Sequence, residues 1–244
     1  MIDPRTTPRA ATVRRLDRDF GRLAERIAPH HHSSHIVQLC ADEAEYARTV
    51  ARFFAAGVAA GHSALAITSA AHREAIIAAL ASLGCQPECV RREGRLVFLD
   101  AGDTLLAICA DGAPDRARFQ RVIGAALCEV SPSATHAAPF VHGEMVDLLC
   151  GNGQIDAAQH LESLWNELAE QRRFHLLCTY RASNFASLDH SAAYDRICSQ
   201  HTHVLPSTVL CDADDATRLR ELARLEQRVG ALEAELALRT RNVG

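Results

Sequence analysis

Apolar residues along this chain are arranged in two ways. Some form short unbroken runs; others recur every three or four positions through longer segments. Residues 36–40 and 64–68 are unbroken runs and read as buried strands. A polar turn at 41–45 follows the first run and opens an amphipathic helix over 46–60, which Gly61 breaks. Strand, turn, helix and strand in succession build a parallel sheet. A helix follows the second strand, and Gly84 caps it. Residues 96–99 form a third strand ending in Asp100. Helices are expected at 104–110 and 114–130, the latter with Pro114 in its first turn.

After a loop at 131–139, Phe140 and Val141 start a short strand running into His142. Residues 146–150 continue as a helix, 151–154 turn, and 155–171 is an amphipathic helix containing Trp165. Residues 174–180 are the most strand-like late segment. A helix at 192–200 and the apolar pair Val204 and Leu205 close the domain.

Two further helices flank this core. Val13, Leu16, Phe20, Leu23 and Ile27 give the N-terminal one an apolar seam. Leu222, Leu225, Val229, Leu232 and Leu236 alternate steps of three and four in the tail, the a/d pattern of a coiled coil. About two and a half heptads are marginal alone. The flanking helices therefore pack on each other, join two subunits, or fold back on their own domain. The chain divides into an N-terminal helix and His-rich linker (1–34), an α/β domain (35–210) and a C-terminal coiled-coil helix (211–244).

Composition narrows the classes. With 244 residues and 48% hydrophobic content, a full core can be buried. A net charge of -4 argues against direct nucleic-acid binding. No apolar run approaches the roughly 20 residues of a membrane span, and the N-terminus has no apolar signal core, so a cytoplasmic protein is expected. Nine cysteines without a CxxC pair then read as reduced, mostly buried thiols.

The turn at 40–49, CADEAEYART, stands where a phosphate-binding loop would follow the first strand. Such a loop needs glycines, a lysine and a Ser/Thr. This one has neither glycine nor lysine, and Asp42, Glu43 and Glu45 would repel a triphosphate. Carboxylates there favour the helix N-terminus instead. ATP hydrolysis is not expected.

Several motifs occur in a characteristic order: HIVQL from His35, GVAAGHSALAITSA from Gly57, Gly143-Glu144-Met145, LESLWN from Leu161, LCTY from Leu177 and ICSQHTHV from Ile197. In this the chain resembles the methanogen/methylotroph sensory (MEDS) family over about residues 35–206. The resemblance implies a RecA-like three-layer α/β domain with a mostly parallel sheet and an eroded nucleotide site. It also implies a sensor of small molecules in signalling proteins, often beside histidine kinase or DNA-binding modules of transcription regulators.

Ligands of open parallel sheets bind beyond the carboxyl ends of the strands. The strand ends offer Cys40, Asp42, Tyr46, Ser69, Asp100, His142, Glu144, Tyr180 and Arg181 as ligand-binding residues. Glu144 is either a polar anchor or a helix N-terminal carboxylate. Tyr180 and Arg181 would offer a phenol and a cation to an anionic or aromatic ligand; the alternative for Arg181 is a surface ion pair. Trp165 reads as core.

His30, His31, His32 and His35 read as a solvated linker rather than a metal site. Cys178, Cys198 and His201, with Cys150 a possible addition, are candidate metal ligands, although buried thiols are commoner and no metal is expected. No catalytic residue is assigned, and the cofactor is left unknown.

The leading expectation is a non-catalytic sensor signalling through its flanking helices, homodimeric, with a kinase or regulator as partner. The rivals are a ligand-free partner-switching module and a residual nucleotide or thiol enzyme using Cys40.

Overall fold

A computed structural model describes residues 33–130, 137–185 and 195–205, together with Gln227. The chain divides into two compact units. One, Asp17–Leu205, holds the sheet; of the other, Met1–Leu16 with Pro206–Gly244, only Gln227 is described, an exposed helical residue. The expected N-terminal helix, the coiled coil and His30 to His32 lie outside the described residues.

The sheet unit runs β1 (Ser34–Cys40), α1 (Glu43–Ala59), β2 (Ala64–Thr68), α2 (Ala70–Ser82), α3 (Pro87–Arg92), β3 (Leu96–Asp100) and α4 (Ala101–Ile108). It continues with β4 (Cys109–Ala110), β5 (Ala113–Pro114), α5 (Arg116–Val130), β6 (Phe140–Gly143), α6 (Met145–Gly151), α7 (Ile155–Gln171), β7 (His175–Arg181), a 3-10 turn (Ala182–Phe185) and β8 (His203–Leu205). Six strands form one sheet in the order β3-β2-β6-β7-β1-β8, and every neighbouring pair is parallel.

Helices cover both faces, giving three layers. One core gathers Ile36, Cys40, Ala66, Phe140 and Leu177 from the sheet under Tyr46, Phe53 and Phe54 of α1 and Ile76 of α2. The other gathers Val37, Leu65, Val141, Leu176, Cys178 and Tyr180 against α4 to α7, with Trp165 at its centre between Phe119 and Phe174. Because both faces are buried, the strands read as unbroken apolar runs. Strand β1 shows what this conceals. Its residues alternate between the two cores, Ile36 to one and Val37 to the other, as the pleat requires.

Gly57 lets α1 approach the sheet closely. A Cβ built there would lie 2.6 Å from the Phe140 ring. Gly84 ends α2 at φ +84, and the amide of Cys85 returns to the carbonyl of Leu80.

Two helices start about a turn earlier than the periodicity gives, α1 at Glu43 and α4 at Ala101, and other segments depart from it further. The helix expected at 104–110 ends at Ile108, and Cys109–Ala110 pairs antiparallel with Ala113–Pro114. Asp111 and Gly112 both have positive φ, the Asp-Gly turn that suits a two-residue hairpin. Pro114 therefore belongs to β5 rather than to a first helical turn. Asp115 opens α5 instead, accepting from the amide of Arg118. The short helix α3 has too few turns to show a period, and only Pro87 at its start marks it. Of the late helix expected at 192–200, residues 195–199 are helical and 186–194 lie outside the described residues.

Candidate functional site

At the carboxyl ends of the strands, three helices start on their own caps. Asp42 accepts from the amide of Glu45 at 2.6 Å, Ser69 from that of His72 at 3.4 Å, and Asp100 from that of Asp103 at 3.0 Å. Each contributes a helix N-cap. Glu45 in turn accepts from the amide of Ala41 at 2.7 Å, a displaced form of the capping box. The amides that would face a phosphate after β1 are thus turned to the chain's own carboxylates. The whole chain contains no lysine.

Glu144 follows β6 and makes no cap bond to its own helix. Its carboxylate crosses to β2 instead. Oε2 accepts from the Thr68 hydroxyl at 2.6 Å and the Ser69 amide at 2.7 Å. Oε1 lies 2.8 Å from Nδ1 of His72, whose Nε2 meets the carboxylate of Glu43. The His72 ring also stacks on Tyr46, with centroids 4.1 Å apart and planes 17° from parallel. Tyr46 reaches His142 at 3.0 Å, and His142 Nδ1 faces the carbonyl of Leu177 at 3.1 Å. A carbonyl only accepts, so Nδ1 carries the proton, Nε2 accepts, and the Tyr46 hydroxyl donates.

The charges follow from this packing. Burial alone would push Glu144 up, but the bonds from His72, Thr68 and Ser69 outweigh it and hold the carboxyl down at about 2. Burial likewise disfavours charge on His72, and the carboxylates of Glu144 and Glu43 overcome it, raising the imidazole to about 9. At His142 burial outweighs both the Leu177 carbonyl and the nearby Glu144 charge, and the imidazole falls to about 4. His72 is therefore a cation at neutral pH and His142 is not.

Arg181 ends β7 beside this network. Its amide and Nε reach Asp147 at 2.8 and 2.7 Å, and Nη1 lies 3.9 Å from Glu43. Asp147 is buried and also accepts from Asn184 at 2.6 Å.

Of the residues expected to bind a ligand, Tyr46, Ser69, His142 and Glu144 meet in one network, with Arg181 beside it. Asp42 and Asp100 serve as caps. Cys40 is buried under α1, and burial drives its thiol far above the ordinary range. Tyr180 lies on the other face of the sheet, because it alternates with Arg181 along β7. His72 and Glu43 join the same network and were not among the expected residues. The available signal was position: His72 sits one turn into the helix that Ser69 caps.

Tyr180 belongs to a second polar cluster, inside the other core. Its hydroxyl donates to Oε1 of Glu162 on α7. His35 Nε2 on β1 lies 3.1 Å from Glu162 Oε2 and 3.3 Å from Cys178 Sγ on β7. His201, in the turn before β8, approaches Glu162 Oε1 to 3.5 Å. Burial opposes the Glu162 charge, but the neighbouring His201 and His35 hold its carboxyl well below the usual range. Of the candidate metal ligands, Cys178 and His201 are in this cluster; Cys198 and Cys150 are not among its four groups. The sequence pattern places His35 with the linker and gives Glu162 no role of its own. A carboxylate on the apolar stripe of Leu161, Leu164 and Leu168 was its visible signal.

A surface groove of about 390 Å³ lies elsewhere, lined by Arg73, Glu88, Arg91, Arg92 and β3, and it includes none of the expected ligand residues. Among the described residues no helix is long and apolar enough to cross a membrane.

A family model described as the MEthanogen/methylotroph, DcmR Sensory domain (MEDS) matches residues 34–198. No curated protein matches the chain.

Proposed function

The chain belongs to the MEDS family of sensory domains, and on that premise we propose that it senses a small anionic molecule at the strand-end network around His72. Glu43 carries this reading. Its side chain is 62% exposed, yet its carboxylate engages His72 and approaches Arg181. Two cations thus share one acid held at the rim. A solvent-facing acid makes a weak pair that a carboxylate from solution can replace. Glu144 and Asp147 are buried behind the same cations and stay in place. Glu43 is an internal stand-in for the ligand.

A triphosphate fits this site poorly, since Asp42 and Glu45 occupy the helix start and no lysine is available. The site is non-catalytic in this reading. The Cys40 thiol is buried and held in its protonated form, which makes it a poor nucleophile. Signalling requires the ligand to favour one arrangement of the protein over another. Displacing Glu43 frees the first turn of α1, and the output passes through the helices expected in segments 1–34 and 211–244 to a second copy and a kinase or regulator.

The test is isothermal titration of the full chain with small mono- and dicarboxylates, with magnesium-ATP as control. At least one carboxylate should bind, Glu43→Gln should tighten it, and ATP should give no heat. Tight magnesium-dependent ATP binding, or carboxylate binding indifferent to Glu43→Gln, would overturn the proposal. A chain ending at Pro206 should keep ligand binding and lose self-association.

A further inference from the structure

We infer that His35, Glu162, Cys178 and His201 form a binding site for one divalent transition-metal ion, with zinc the best match. Their four ligand atoms come from β1, α7, β7 and the turn before β8, and all lie within 4.8 Å of one another. A tetrahedral zinc with bonds of about 2.1 Å to nitrogen and oxygen and about 2.3 Å to sulfur has ligand–ligand edges of about 3.4–3.6 Å. The edges around Glu162 Oε2 are 3.1 Å to His35 and 3.5 Å to Cys178, with 3.3 Å from His35 to Cys178, and His201 Nε2 lies 3.5 Å from the other carboxylate oxygen, Oε1.

The surroundings orient these groups as a metal needs them. The Asn166 side-chain nitrogen donates to the carbonyl of Gln200 at 3.1 Å, so its oxygen faces His35 Nδ1 at 2.9 Å. His201 Nδ1 donates to the carbonyl of Ile197 at 2.7 Å. Each imidazole spends its outer nitrogen on an acceptor and turns Nε2 inward, the arrangement of metal-bound histidines. The Tyr180 hydroxyl holds the second oxygen of Glu162.

An independent observation points to an occupant. The His201 side chain is 0% exposed, and its Nε2, within 4.8 Å of the other three ligand atoms, makes no hydrogen bond of good geometry and has only the long 3.5 Å ion contact to Glu162 Oε1. A buried polar atom left this way is costly unless something fills the gap.

Charge fits as well. A dication bound by one carboxylate, one thiolate and two neutral imidazoles gives a neutral buried centre. The Cys178 proton, and the proton that His201 holds toward Glu162, leave to solvent as the metal binds. Mixed nitrogen, sulfur and oxygen donors exclude calcium and magnesium, which take all-oxygen sites. Filled, the site would fasten the turn that carries β8 to the middle of the sheet.

The experiment strips the full chain with a chelator, reloads it with zinc and reads the X-ray absorption fine structure, then repeats the loading with cobalt. One ion per chain is expected, with one sulfur and three nitrogen or oxygen neighbours. The cobalt form should show tetrahedral visible bands and a thiolate charge-transfer band. Cys178→Ser should lose that band, and Asn166→Ala, a positioning change, should weaken zinc about 10–100-fold. A folded chain that takes up no ion overturns the inference. So does a shell with no sulfur or with several, or a cobalt spectrum that Cys178→Ser leaves unchanged. The scattering is read on the unaltered chain, so it decides even where a variant does not fold.

Discussion

His72 Nδ1, in the first turn of α2 after β2, lies 2.8 Å from Oε1 of Glu144, which follows the adjacent strand β6, and the two residues hold opposite charges. The linkage to pH follows from their shifts. His72 is raised from 6.5 to about 9, so its contribution to stability is complete below 6.5 and is lost as pH climbs through about 9. Glu144 is lowered from 4.5 to about 2, so its contribution is complete above 4.5 and is lost as pH falls through about 2. The pair is at full strength between those two ordinary values. His72→Asn, which leaves Glu144 without its cation, should cost about 3 kcal/mol in that window. Thermal unfolding of the two proteins across pH checks this. The difference should shrink on the alkaline side, and a flat difference would sink the assignment.

Asp147 holds Arg181 by its amide and its guanidinium, and it holds Asn184 as well. Asp147→Asn turns one of these acceptors into a donor facing donors. The expected loss is about 2–3 kcal/mol in urea unfolding. A near-neutral result would show that the Arg181 contact is not structural.

Gly57→Ala forces a methyl onto the Phe140 ring, at 2.6 Å before relaxation. The helix backbone tolerates alanine, so the cost is overpacking, about 1–3 kcal/mol. Phe140→Leu should be destabilising in the original chain and less so beside Gly57→Ala. Additive losses in the double variant would contradict the close contact.

The cysteines should separate by exposure. Cys128 is exposed, while Cys40, Cys150 and Cys178 are buried. Burial pushes the Cys150 thiol up to about 12 and the other two upward as well. Alkylation of the folded chain at neutral pH, mapped by mass spectrometry, should mark Cys128 and spare these three until denaturant is added. Rapid native labelling of Cys40 would revive a thiol enzyme.

Much of the fold could be read residue by residue. Ala64–Thr68 and Ile155–Gln171 appear at the bounds their patterns gave, because a strand buried on both faces must be apolar throughout and a helix buried on one face must repeat every 3.6 residues. The hairpin at Cys109–Pro114 was misread although Asp111-Gly112 announced it; its strands are too short for a period. The site was less legible. Ser69, Asp100 and Asp42 stand at strand ends as expected, yet they cap helices, a use of the same oxygen atoms that local sequence does not distinguish from ligand binding.

The sequence by itself determined most of the strands and helices and the parallel sense of the sheet, since the burial period and the succession of strand, helix and strand are written along the chain. Only the tertiary structure decided which polar groups meet: His72 with Glu144 across 72 positions, and His35 with Glu162 and Cys178 inside the opposite core. The reason is geometric. Adjacent residues of β7 face opposite layers, so Tyr180 and Arg181 enter different clusters, and a shift of one residue in the strand's phase would exchange them.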